Sequence, residues 1–155
     1  MAYFVDSSAL VKRYVQEAGT TWVRGITRHT RSTPVYIARI GAVEVTSAVA
    51  RRRKGRTLTR PRASSILRRF RQHLAGRYIV VEVTPALLDD AMRLANAHAL
   101  RAYDAVQLSV ALEVSRIYHA AGSNPVTWCP PTGTSMMQPR PRASRSMTRT
   151  CILDR

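Results

Sequence analysis

Acidic side chains are scarce in this 155-residue sequence: nine Asp plus Glu stand against 25 Lys plus Arg, a formal net charge of +16. So large an excess points to a polyanionic partner, and nucleic acid suits it better than anionic lipid because no large apolar face accompanies the charge. Cysteine is nearly missing as well. Cys129 and Cys151 come late and lack metal-ligand spacing, which excludes a disulfide framework and a zinc site. No apolar run approaches the ~20 residues that a membrane-spanning helix needs. With no signal-peptide pattern at the start, the expectation is a soluble, cytoplasmic protein without a membrane partner. Neither a GxxxxGK[ST] nor a GxGxxG loop is present, so nucleotide-dependent chemistry has no support. His29, His73, His98 and His119 show no ligand spacing, and Ser7 and Ser8 have no basic partner that would make either a nucleophile.

What is there suits one α/β domain with a sizeable core. Tyr3, Phe4 and Val5 read as a buried strand, Ser7 or Ser8 as a helix cap, and Leu10, Val11, Tyr14 and Val15 as the apolar face of the helix that follows. Asp6 therefore stands where a strand stops and a helix starts, the place where open α/β sheets bind ligands. A second short strand covers 35–38, and helical spacing resumes from Arg39 to Arg53. Another helix carries Leu58, Ile66, Leu67, Phe70 and Leu74. Tyr78 to Val83 is the clearest strand, and Thr84-Pro85 starts a helix that runs to about His98. From Leu100 to Leu112 the spacing gives a buried helix with Asp104 in its first turn, and 125–128 can begin a fourth strand. Strands alternating with helices argue for a parallel sheet of about four strands covered by helices.

Three carboxylates stand beside apolar sequence: Asp6 after the first strand, Glu44 within AVEVTSAVA, and Asp104 at the head of the buried helix. Each has an ordinary reading, as a cap, an exposed helix residue or a first-turn acid. Brought together, their repulsion has to be relieved by protons or by a hard cation. Mg²⁺ or Mn²⁺ takes oxygen ligands and can activate water for attack on phosphate. Between Arg51 and Arg77 the chain holds eleven basic residues and no acid. Acids set in a strongly positive surface describe a metal-dependent nuclease.

The runs YFVDSSALVKRYVQE, IARIGAVEVTSAVARR and HALRAYDAVQLSVAL resemble the three leading motifs of PIN-domain ribonucleases, specifically the VapC-like toxins of bacterial toxin–antitoxin pairs. The resemblance covers residues 1 to about 127. It implies a Rossmann-like α/β/α fold, an acidic Mg²⁺ pocket that cuts RNA, a cognate antitoxin that blocks it, and a homodimer that would fit the family. By position Asp6, Glu44 and Asp104 correspond to the family's first three acids. Asp6 and Asp104 would ligate the metal directly, and Glu44 would act through water or help the attacking water.

The resemblance stops at residue 128. The family continues with a Ser-Ala-Asp-type segment bearing a further acid, whereas 128–155 has five Arg, four Pro, no periodicity and Asp154 as its one acid, a composition that predicts an irregular tail. Read one base earlier, the back-translated tail permits an acid-bearing segment of the family's kind over 128–144, and the expectation is a frameshifted tail after a native body. The expected function is Mg²⁺-dependent endoribonuclease. The alternatives are a catalytically impaired relative that only binds antitoxin or RNA, and a basic nucleic-acid-binding module in which the acids are incidental.

Overall fold

The computed structural model describes residues 2–28, 33–124 and 126–129. Four strands, β1 (Ala2–Val5), β2 (Val35–Ala38), β3 (Ile79–Val81) and β4 (Val126–Cys129), form one sheet in the order β3-β2-β1-β4, every neighbouring pair parallel. The connections carry helices α1 (Ser7–Tyr14), α2 (Thr20–Ile26), α3 (Arg39–Lys54), α4 (Arg60–Gly76), α5 (Pro85–His98) and α6 (Ala102–Ala120). The expected parallel α/β/α architecture is the one found.

Side chains on a strand alternate between faces, and here both faces are covered. Val5, Val35 and Ile37 turn to one side, where they pack with Leu10, Val45, Val49, Ile66 and Phe70 from α1, α3 and α4. Ala2, Phe4, Ala38 and Val126 turn to the other, against Leu87 of α5 and Val110, Ala111 and Val114 of α6. Two helix starts follow from local chemistry. Thr59 and Thr84 accept from the backbone N–H three residues on, at the heads of α4 and α5, and each helix has a proline in its first turn.

Two expectations need correction. The stretch 78–83, the clearest strand in the sequence, forms the shortest strand, only Ile79–Val81. Its one neighbour, β2, ends at Ala38 opposite Val81, so residues 82 and 83 have no ladder to join, and Glu82 instead pairs with Arg39. The cap of α1 is Asp6, in place of Ser7 or Ser8. The fourth strand expected to begin at 125–128 is present as β4. The rest of the expected tail lies outside the described residues, as do Pro125 and His29.

The chain leaves β1 toward β2 and β3, then returns to place β4 on β1's other side. The connection leaving β1 runs to one side of it and the connection leaving β3 crosses to the other, so the strand order reverses at β1, and ligands of open α/β sheets bind at the carboxyl ends of the strands there. Asp6 is the first residue beyond β1, and its backbone N–H donates to the carbonyl of Cys129 at the end of β4 at 3.2 Å.

Candidate active site

Asp6 is buried, 2% exposed. As the residue that caps α1 it has extended backbone, and its Oδ1 accepts from the Ser8 N–H at 2.8 Å and the Ser8 hydroxyl at 2.7 Å. Both bonds end on Oδ1, so Oδ2 has no protein donor among the described residues. Burial pushes the Asp6 carboxyl above its usual range; the Ser8 hydrogen bonds oppose this, and the charges of Glu44 and Asp104 push it further up. Asp6 thus lies in the field of both other acids, one from α3 and one from α6. The same field reaches the buried Cys129, whose thiol is pushed up to about 12, chiefly by burial and then by Asp6.

Glu44 sits half-buried on α3, and its Oε2 accepts from the Gln107 side-chain amide at 2.7 Å. Asp104 is half-buried in the first turn of α6, where the helix dipole favours a negative charge. None of the three forms an ion pair among the described residues, although Glu17, Glu82, Asp90 and Glu113 all pair with arginines. Asp89 also lacks an ion pair, but it is exposed on α5; Asp6, Glu44 and Asp104 are the unpaired acids among the described residues that are buried or half-buried. No three His, Cys, Asp or Glu side chains among the described residues are gathered tightly enough to hold one metal ion together. The acids are electrostatic neighbours and do not form a closed cage.

Ser8, read from the sequence as a possible cap, donates to Asp6 instead, and Gln107, the partner of Glu44, escaped the sequence reading. Gln107 left a faint signal: a lone amide three residues after Asp104, in a helix segment otherwise filled with apolar and small residues.

Of the basic run from Arg51 to Arg77, Arg52 at the end of α3 pairs with Glu17, past the end of α1 opposite to Asp6, and none of the others has a carboxylate partner among the described residues. No helix of the described residues is long and apolar enough to cross a membrane.

A parallel sheet flanked by helices, with acids at the point where its connections diverge, defines a class of domain, and comparison identifies it. The chain belongs to the PIN domain family, whose model matches residues 3–117. The structure is also similar to that of VapC20 of Mycobacterium tuberculosis, a sarcin–ricin loop cleaving toxin, with a TM-score of 0.56 and 16% identity over 79% of this chain and 85% of that one. At that identity the likeness concerns the fold. No curated protein matches the chain.

Proposed function

We propose that the protein is a divalent-metal-dependent endoribonuclease, the toxin component of a toxin–antitoxin pair, held in check by a cognate antitoxin protein and able to form a homodimer. The observation that carries this reading is the electrostatic coupling of Asp6 to Glu44 and Asp104, three acids without ion-pair partners, at the divergence point of a PIN-family sheet. Membership in the family and the fold shared with a toxin that cleaves RNA support the substrate class.

Asp6 and Asp104 are the residues that would hold Mg²⁺ or Mn²⁺. Such an ion, when bound, supplies charge neutralisation at the scissile phosphate and a more acidic water. Ser8 holds Asp6 in place through Oδ1. Glu44, half-buried and bound to Gln107, is the acid left to accept a proton from the attacking water and orient it toward phosphorus. Attack breaks the bond to the 3′-oxygen and leaves a 5′-phosphate on the downstream product. The arginines between 51 and 77 bind the strand through its phosphates, with the planar fork that suits them. The test is cleavage of structured RNA by the unmutated chain, with and without Mg²⁺, beside Asp6→Asn. Loss of cleavage with RNA binding kept is the expected result; cleavage unchanged in Asp6→Asn or in chelator overturns the reading.

A second reading, a PIN-family protein that binds RNA or antitoxin without cutting, draws on the absence of a closed three-acid cage among the described residues. It predicts no cleavage by the unmutated chain under Mg²⁺. A version with the reading frame restored over 128–144 would then regain cleavage if the missing fourth acid is the cause.

A further inference from the structure

Gln107 is among the largest fully buried side chains of the protein, at 1% exposure, and lies one turn beyond Asp104 on α6. Its Nε2 donates to Glu44 Oε2 at 2.7 Å, while its Oε1 is buried with no hydrogen-bond partner among the described residues. Electrostatics sets this orientation. Turned over, the amide would face carbonyl oxygen to carboxylate oxygen, acceptor against acceptor. The amide therefore gives its donor to Glu44 and leaves its acceptor desolvated, a penalty that an apolar residue of the same size would avoid. A buried polar group left unsatisfied in a native protein calls for a reason other than stability.

Gly41 points the same way. A Cβ at that position would meet Gln107 Nε2 at 3.3 Å and the Ser7 Cβ at 3.7 Å. Helix α3 thus carries a glycine, a poor helix former, one turn before Glu44, where the Gln107 amide passes close by. Two locally unfavourable choices on two helices serve one hydrogen bond.

We infer that Gln107 is a positioning residue for RNA cleavage, holding the Glu44 carboxylate in a single orientation from a buried site between α3 and α6, with Gly41 as the gap that admits its amide. This rests on the nuclease reading above. Gln107 acts through Glu44 and does not touch RNA.

The test uses the full chain and Gln107→Met, which keeps the volume and removes the donor. The expected result is a roughly tenfold fall in kcat. KM for RNA stays within about twofold and the melting temperature is unchanged or higher, because the orphaned acceptor is gone. A purely structural amide gives the reverse: a lower melting temperature, with activity falling only as the folded fraction falls, and that result overturns the inference. Gly41→Ala provides a second route, since its methyl group forces the amide to shift by a few tenths of an ångström. A lower kcat at unchanged KM supports the inference. An unmutated chain that cuts no RNA with Mg²⁺ or Mn²⁺ defeats the nuclease reading itself; a chain that cuts, and keeps its kcat in both variants, defeats this inference alone.

Discussion

Helix α1 joins two polar clusters of opposite character. At its first end is Asp6, buried, without an ion-pair partner among the described residues and raised by burial and by two other acids. At its last residue is Tyr14, whose hydroxyl lies 2.8 Å from His73 Nδ1 and 2.7 Å from the Tyr78 hydroxyl, with its ring edge-on to Phe70 at 5.3 Å. Burial pushes the Tyr14 phenol well above its ordinary range, and Tyr78 adds to the effect. Burial, then the charges of Arg13, Arg77 and Arg69, hold His73 down to about 4. No buried side-chain atom of this second cluster lacks a hydrogen-bond partner, whereas Gln107 Oε1 at the first does. Satisfied polar networks rigidify a core, whereas a buried group left unsatisfied calls for a reason other than stability. On this account one end of α1 stabilises the fold and the other performs the chemistry.

The largest effect expected to separate the ends is on cleavage. Asp6→Asn keeps a good helix cap and should leave melting nearly unchanged. Rates of RNA cleavage should fall about 100-fold or more, because the carboxylate charge is gone. Tyr14→Phe is the opposite case: it leaves His73 and Tyr78 without their shared partner, so denaturant unfolding should show a loss of about 1–3 kcal/mol while cleavage per folded molecule is kept. If cleavage falls and stability does not, the division between the ends is wrong.

Acid titration sharpens the comparison, because the two ends contribute with opposite sign. As pH falls from 6.5 toward about 4, the unfolded chain takes up a proton on His73 before the folded protein does, so this end loses stability across that window. Asp6 has a folded value raised above 3.8, so the folded protein takes up its proton first and this end gains stability as pH falls through that raised value. Melting temperature measured against pH in chelator should therefore lose its acid-side decline in His73→Phe and decline more steeply in Asp6→Asn. The smallest effect concerns the basic face: Arg56→Ala should weaken binding to all RNA sequences alike and lower the salt slope of log K by about 1 or less.

Much of this was legible in the chain itself. The acid at Asp6 could be placed because a buried strand and an apolar helix face flank it directly, and β2, α3 and α5 follow from periodicity and from Thr84-Pro85. The extent of β3 was hidden because strand length depends on the neighbour, and β2 ends at Ala38. Which residue caps α1 was ambiguous, since Asp6, Ser7 and Ser8 are all good caps and only the backbone path selects one. The hydrogen bond from Gln107 to Glu44 spans 63 positions, and no local pattern could join them.

The central claim is that Asp6 and Asp104 together hold a divalent ion at the carboxyl edge of the sheet. Calorimetric titration of the full chain with Mn²⁺ tests it directly, independent of any RNA. The account predicts one saturable site that Asp6→Asn and Asp104→Asn each weaken by at least about tenfold, with both variants still folded. Mn²⁺ binding of equal strength in the unmutated chain and in both folded variants would contradict it.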